Sequence, residues 1–136
     1  MAYLVLFFSS LYFGSNMADL QITIHGTAAK GTIYMVVFRP NEGFPEAKNA
    51  FKKLTFSPKA DKQTVLVKDI PAGNYAFALF QDLNMNGEID KNMIGKPTEP
   101  YAFSKNFKPR FAAPVFEDCR ISVHAGINSH TVHLIQ

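Results

Sequence analysis

Short runs that are apolar, or that alternate apolar with polar residues, constrain this 136-residue chain more than any other feature. Residues 20–25 alternate, which predicts that Leu20, Ile22 and Ile24 point into a core. Residues 32–38 are apolar at positions that would face either side of a strand. This is typical of a central strand covered on both faces or of a strand beside the thickest part of the core. Glycine and proline end these runs at short intervals. The pattern predicts an all-β fold, an antiparallel β-sandwich of about seven strands.

A proline-glycine turn separates two of these runs. Residues 64–70 and 74–80 have extended patterns, and Pro-Ala-Gly at residues 71–73 lies between them. This order predicts an antiparallel hairpin. In the second strand, Phe77 shares one face with its neighbours two positions away on either side. We expect that face to lie in the main core because it carries the larger side chains.

Weaker patterns predict the remaining elements. Apolar residues three and four apart in residues 44–53 predict a short helix of one or two turns. Residues 116–123 and 131–135 are predicted as the last two strands, joined by a turn at residues 125–129.

Residues 92–114 depart from the short-strand rhythm. Their four prolines predict that no interior strand or helix forms there, and loops of this length in compact domains are often functional. The segment carries four aromatic ligand candidates: Tyr101, Phe103, Phe107 and Phe111. Prolines would hold such rings open for stacking on a sugar, a peptide or a hydrophobic ligand. The alternative, which we favour, is that the rings fold back and close one end of the sandwich.

The charge distribution argues against nucleic-acid binding. The formal net charge is +3, but the lysines are spread along the chain with acids among them, and no basic stripe is formed. Hydrophobic residues make up 47% and charged residues 18% of the chain, a balance that supports one packed domain and argues against disorder. We therefore expect a protein, a glycan or a small molecule of unknown identity as partner.

An uncharged apolar run occupies residues 2–13 and is followed by small and polar residues up to Ala18. It is shorter than the ~20 residues needed to span a bilayer and matches the apolar core of a secretory signal. We expect a signal peptide at residues 1–18, a single domain at residues 19–136 without a transmembrane segment, and a periplasmic or secreted location. The alternative is a buried N-terminal strand or helix, since no basic residue precedes the run.

No recognisable catalytic motif is present in the sequence, so we lean against an enzyme. Patterns of serine hydrolases, zinc proteases and phosphate-binding loops do not occur. The single cysteine, Cys119, is expected to be a buried hydrophobe rather than a nucleophile. His130 and His133 are three apart on a predicted strand, which places their rings on opposite faces.

The residues best suited to metal chemistry lie at positions 82–90. Oxygen ligands fall at alternate positions there: Asp82, Asn84, Asn86, the Glu88 carbonyl and Asp90. Gly87 permits the sharp turn of a calcium loop, but Met93 stands where a closing glutamate would be, so any Ca²⁺ affinity should be weak, nearer ~10⁻⁴ M. The alternative is an Asn-Gly turn in which Asp82 and Asn84 bind local backbone amides.

Several motifs in one order resemble a bacterial family of unknown function, DUF2141. They are residues 69–76 (Asp-Ile-Pro-Ala-Gly-Asn-Tyr-Ala), residues 80–87, residues 116–118, and residues 94–104, which are similar to a Gly-x-Pro-x-Glu-x-Tyr-Gly-Phe-Ser segment with Ala102 in place of its second glycine. The resemblance implies an exported, signal-bearing β-sandwich domain without an established activity. The strand, Pro-x-Gly turn and tyrosine pattern also looks like immunoglobulin-like, transthyretin-like and carboxypeptidase-regulatory-like sandwiches, a likeness of fold alone.

Two function classes follow from the sequence. We favour an exported, non-catalytic binding or interaction module that carries a candidate weak calcium loop at residues 82–90. The alternative is a small-ligand carrier or an enzyme that uses the proline-aromatic segment, residues 94–116. The positions of Tyr101, Phe103 and Phe111 discriminate between them: a deep pocket with convergent polar groups favours the second class, and a filled core favours the first.

Overall fold

The computed structural model describes residues 15–93 and 95–136, which fold into two packed β-sheets. The expected signal segment at residues 2–13 lies outside the described residues. The strands are β1 (Met17–His25), β2 (Thr32–Phe38), β3 (Lys52–Phe56), β4 (Lys62–Pro71), β5 (Gly73–Asp82), β6 (Tyr101–Phe103), β7 (Ile121–Val123) and β8 (Gly126–His133). The predicted all-β sandwich is confirmed, with eight strands over the described residues instead of about seven.

One sheet has three strands in the order β4-β1-β8, and the other has five, in the order β3-β2-β5-β6 with β7 also paired to β5. Each pairing is antiparallel except that of β1 with β8, which runs parallel from Ala18↔Gly126 to His25↔His133. Beyond β8 the backbone joins the two sheets, since Tyr101 and Ile135 exchange N–H···O bonds of 3.1 and 2.7 Å.

The core lies between the sheets and follows the alternation in the sequence. Leu20, Ile22 and Ile24 of β1 are fully buried, as predicted. Phe77 and its neighbours two positions away are 4% exposed or less and belong to the same core, which confirms the predicted face of β5. β2 lies between β3 and β5, so the prediction of a central strand is also confirmed, and its outward-facing Tyr34 is half-buried.

The predicted hairpin between residues 64–70 and 74–80 is wrong. β4 pairs with β1 in the three-stranded sheet, whereas β5 pairs with β2 in the five-stranded sheet, so residues 71–73 carry the chain from one sheet to the other. Tyr75 is 2% exposed, and its hydroxyl donates to the Pro71 carbonyl at 2.5 Å. A tyrosine at the start of a strand that binds the backbone upstream holds crossings of this kind in other β-sandwiches.

One predicted helix is shorter than expected, and one predicted strand begins with a short helix. The predicted helix at residues 44–53 is reduced to a 3-10 turn at Ala47–Asn49, and β3 begins at Lys52. The predicted strand at residues 116–123 instead starts with the four-residue helix α1 (Phe116–Cys119), where the Asp118 carboxylate accepts the Val115 N–H at 3.0 Å. No helix among the described residues is long and apolar enough to cross a membrane.

Two strands lie where the sequence pattern predicts turns or loops. β8 begins at Gly126, so the predicted turn at residues 125–129 is mostly strand, because pairing with β1 supplies the backbone partners that these polar residues need. The proline-rich segment contains β6, a three-residue strand at the edge of the sheet. Its position between Pro100 and Pro109 leaves free N–H groups for pairing, and because β6 is an edge strand it does not contradict the prediction that no interior strand forms there.

Truncation of Phe77 tests this core directly. Phe77→Ala should lower the free energy of unfolding by about 3–5 kcal/mol, because it leaves a ring-sized cavity between the sheets. Phe111→Ala is the matched control, since the Phe111 ring is fully exposed and its loss should change stability by about 0.5 kcal/mol or less. Equal shifts of the urea midpoint in the two variants would show that Phe77 is not a core residue.

Candidate functional site

The outer face of the five-stranded sheet carries two rows of side chains that run across its strands. In the first row the pairing register places Tyr34 opposite Phe80, and Phe80 opposite Tyr101. The second row consists of Lys53, Val36, Ala78 and Phe103. Because side chains alternate between the faces of a strand, both rows point away from the core between the sheets.

Aromatic rings dominate this outer face. The Tyr34 and Phe80 rings stack with their centroids 5.3 Å apart, and the Tyr101 and Phe103 rings meet edge to face at 5.9 Å. Ala78 lies beside them in the second row, and its short side chain leaves space next to the rings. The face therefore combines flat apolar surface with a depression.

Two irregular segments, residues 87–93 with 95–97 and residues 109–114, border this face and form an open cavity of about 1110 Å³ with it. We call this cavity the groove. Gly87 and Ile89 line it from the first segment, and Phe111 and Pro114 from the second. Its volume slightly exceeds the ~300–1,000 Å³ that is typical of small-molecule sites.

A separate ring cluster covers the sheet face next to the groove. Phe38 is paired with Ala76, one row beyond Ala78. The Phe44 ring makes edge contacts with the rings of Phe38, Phe103 and Phe116 at 5.1, 6.2 and 6.3 Å. These contacts fill the outer face at that end, so the open part of the groove lies over the Tyr34–Phe80 row.

The four aromatic ligand candidates are divided by the fold. Tyr101 is 9% exposed and Phe103 is half-buried, and both line the groove as members of β6. Phe111 also lines the groove but is 100% exposed. Phe107 is half-buried after the 3-10 turn at Ser104–Asn106 and is not part of the groove lining. Three of the four rings thus share one cavity.

The candidate calcium loop, residues 82–90, begins at the last residue of β5. Asp82 is fully buried, and its carboxylate accepts the backbone N–H of Asn86 at 3.3 Å and of Gly87 at 2.7 Å. The side-chain amides of Asn84 and Asn86 donate to the Asp90 carboxylate at 2.5 and 2.8 Å. The side chains of Asn84, Asn86 and Asp90 are therefore joined to one another, and Asp82 binds the backbone of the same turn.

The loop is closed by its own hydrogen bonds, as the Asn-Gly turn alternative requires. The side-chain oxygens of Asn84 and Asn86 accept the N–H groups of Asn86 and Glu88 at 3.2 and 3.0 Å. Gly87 has a φ of 81°, the left-handed conformation that glycine adopts most easily. The Glu88 side chain is exposed. Among the described residues, no three His, Cys, Asp or Glu side chains gather as a metal-ligand group.

Glu99 is the site residue that our sequence analysis did not single out. It is 6% exposed, and its carboxylate accepts the N–H of Leu83 at 2.7 Å and of Asp90 at 2.9 Å. One buried carboxylate therefore joins the two ends of the loop at residues 82–90. The only signal in the sequence was its place in the DUF2141-like segment, because sixteen residues separate it from Leu83.

The connection between β1 and β2 fixes the base of this loop. The buried Gln81 side chain donates to the carbonyls of Ala28 and Lys30 at 2.8 Å each and accepts the Ala28 N–H at 3.1 Å. A Cβ atom on Gly31 would lie 2.3 Å from the Asp82 carbonyl oxygen, so only glycine fits there. The β1–β2 connection thus holds the end of β5 in two ways, through the Gln81 side chain and through close packing of Gly31 on the Asp82 carbonyl group.

The remaining titratable candidates lie away from the groove lining. Cys119 is fully buried as predicted, and burial, with a smaller contribution from Asp118, raises the pKa of its thiol to about 12. His133 faces outward, and its ring stacks on that of His25 at 4.9 Å. His130 is on the opposite face, as predicted, and burial lowers its pKa.

Comparison with known proteins assigns the chain to one family. The family described as "Uncharacterized protein conserved in bacteria (DUF2141)" matches residues 22–131. The chain belongs to the DUF2141 family. No curated protein and no solved structure matches it significantly.

The residues that carry the DUF2141 motifs in this chain frame the site. Tyr75 closes the crossing between the sheets, and Asp82 and Glu99 hold the loop at residues 82–90. Ser104 is fully buried, accepts the Phe77 N–H at 3.0 Å and donates to the Cys119 carbonyl at 2.5 Å. In this DUF2141 chain the motif residues therefore hold backbone junctions, and those at Asp82 and Glu99 belong to the candidate site.

Substitution of Glu99 tests whether it organises the loop. Glu99→Gln keeps the shape but turns an NH₂ group toward one of the two backbone donors, so the free energy of unfolding should fall by about 2 kcal/mol. Glu88→Gln removes the same charge from an exposed side chain in the same loop and should have little effect. Urea unfolding of both variants gives the comparison, and equal midpoints would contradict this role.

Proposed function

We propose that this chain is an exported, non-catalytic module that binds a small apolar ligand in the groove. The observation that carries this proposal is Phe111, a ring that is 100% exposed at the border of a cavity lined by other rings. Burial of such a ring would stabilise the fold by about 1.5–3 kcal/mol, so its exposure beside an apolar cavity favours a binding role.

The outer sheet face supplies the contacts that such a ligand needs. The stacked Tyr34 and Phe80 rings present flat apolar surface, and Ala78 leaves room above the sheet. These side chains belong to β2 and β5, which are held on their other face by the core. A site on rigid strands loses little conformational freedom when a ligand binds.

Export is supported by the apolar run at residues 2–13, which matches a secretory signal. We place the mature protein in the periplasm or outside the cell. Strand β1 begins at Met17, and the buried Ala18 pairs with Ile70 and Gly126. Cleavage slightly before Met17 would keep this strand whole, whereas cleavage after Ala18 would remove two of its residues.

A groove-filling variant tests the binding function. The neutral fluorescent probe N-phenyl-1-naphthylamine should bind the wild-type protein saturably, with increased emission. Ala78→Phe places a ring where the cavity is and should abolish this binding, and Phe111→Ala should weaken it severalfold because one apolar wall is lost.

Ser129→Phe is the matched control, since it adds the same ring to an exposed position of the other sheet. It should bind the probe like the wild type. Melting curves of every variant confirm that the fold is retained. Absence of saturable binding by the wild type, or unchanged binding by folded Ala78→Phe, would overturn the proposed function.

As a second function we propose weak calcium binding by the loop at residues 82–90. Its support is that the Asn84 and Asn86 amides meet the Asp90 carboxylate, while the buried Asp82 carboxylate binds the backbone of the same turn. A cation would replace the amide N–H donors that now face Asp90, so both amides would turn their oxygens inward. Oxygen donors of this kind suit Ca²⁺ better than Mg²⁺, which demands stricter octahedral geometry.

Thermal stability reports this binding. Calcium at about 100 times its dissociation constant should stabilise the fold by ~2.7 kcal/mol, several degrees in melting temperature, with a smaller effect of magnesium. Asp90→Asn should remove the calcium response, and Glu88→Gln, which changes charge to the same extent in the same loop, should keep it. Asp82 is left intact because its carboxylate also binds two backbone N–H groups. Equal melting temperatures of the wild type in millimolar calcium and in EDTA would refute this second proposal.

A further inference from the structure

The groove has basic side chains along its border and no acidic ones among its described lining residues. The basic residues are Lys53, Lys91, Lys96 and Arg110. They come from three different parts of the chain, namely β3, residues 87–93 with 95–97, and residues 109–114. The chain as a whole has 14 basic and 11 acidic residues. A surface region of average composition would therefore carry acidic as well as basic side chains, unlike this border.

Three acids near this border in sequence already have hydrogen-bond partners, whereas the side chains of Glu46 and Glu88 are exposed next to lining residues. Asp82 and Glu99 accept backbone N–H groups, and Asp90 accepts two side-chain amides. The ion pairs found within the described residues lie elsewhere, at Arg39–Glu42 and Arg120–Glu117. None of the four cations at the groove therefore forms an ion pair with an acid of the described residues.

We infer that the ligand of the groove is an amphiphile with an apolar chain and a single anionic head group. This inference rests on the proposed binding function and adds the chemistry of the head. The apolar chain would lie on the Tyr34–Phe80 row and against Phe111, and the head would reach the cations at the border. Lysine and arginine keep their charged ends in water while their stems cover apolar surface, which suits a head at the water boundary.

The four cations favour an anionic head group, and the Arg110 guanidinium group favours one with the geometry of a carboxylate or a phosphate. Like charges around one cavity repel one another, and an anion in their midst removes that repulsion. The planar guanidinium group donates two parallel hydrogen bonds to a carboxylate or to a phosphate. The shared chemistry is therefore a compact oxyanion on an apolar chain.

Amphiphiles with the same dodecyl chain and different heads test the inference by displacement of N-phenyl-1-naphthylamine below their micelle concentrations. Dodecanoate should bind roughly tenfold more tightly than neutral dodecanol, and dodecyltrimethylammonium should bind more weakly than dodecanol. Dodecyl phosphate serves as a second anionic arm, and its rank against dodecanoate identifies which oxyanion the site prefers. High salt should reduce the preference for the anions because it screens exposed charges.

Two double variants locate the effect. Lys53→Gln with Arg110→Gln, and Lys91→Gln with Lys96→Gln, should each weaken dodecanoate binding by roughly tenfold and leave dodecanol binding unchanged. Lys59→Gln with Lys62→Gln is the control, since it removes two exposed charges outside the groove lining and should change neither.

The outcomes separate the two proposals. Equal binding of anionic, neutral and cationic amphiphiles, or an equal loss in the control variant, would overturn the anionic head and leave the groove as a site. If neither the fluorescent probe nor any amphiphile binds, the proposed function fails together with this inference.

Discussion

The five-stranded sheet carries apolar side chains on both faces, and the three-stranded sheet covers only one of them. On β5, Phe77 belongs to the core, whereas Phe80 points to the outer face. Apolar surface on the uncovered side must be shielded from water by something other than a second sheet. Irregular segments provide this cover at residues 44–47, 87–93, 95–97 and 109–114, and the groove is the space that they leave open.

The loop at residues 82–90 depends on the same arrangement. Its start is the end of β5, so the strand that forms the floor of the groove also fixes the position of Asp82. The hydrogen bonds of Asp82 and Glu99 to backbone N–H groups then fix the turn that brings Gly87 and Ile89 to the wall of the groove. A wall held in this way is formed before any ligand arrives, which lowers the entropy cost of binding.

Local sequence patterns predicted correctly which side chains of a strand are buried. They failed where the structure depends on which strands pair with each other. The alternation in β1 and the double-sided apolar run of β2 are properties of each strand alone, and both predictions are confirmed. The turn at residues 71–73 has the composition of a hairpin, but composition does not encode which sheet the next strand joins. β8 was predicted too short because its N-terminal half is polar and gains its stability from pairing with β1.

In the candidate site, too, contacts between residues close in sequence could be predicted, and contacts between residues distant in sequence could not. Alternating oxygen side chains at residues 82–90 are visible in sequence because a tight turn brings near neighbours together. Glu99 enters the same cluster only because β6 returns antiparallel to β5, which places the residues before Tyr101 beside the end of β5. The groove likewise combines β2, β3, β5, β6 and three irregular segments, which lie far apart in the sequence.

The exposed ring of Phe111 links these observations to function. The segment at residues 109–114 is anchored by Pro114, which is buried, while the ring three positions earlier stays in water. Nothing in the register of the sheet requires this, since the neighbouring Tyr101 and Phe103 rings both pack on the outer face. A ring held at the border of an apolar cavity, next to the Arg110 cation, presents to a ligand both kinds of contact that an anionic amphiphile uses. The fold thus leaves uncovered an apolar surface with cations beside it, which is the combination that the proposed ligand needs.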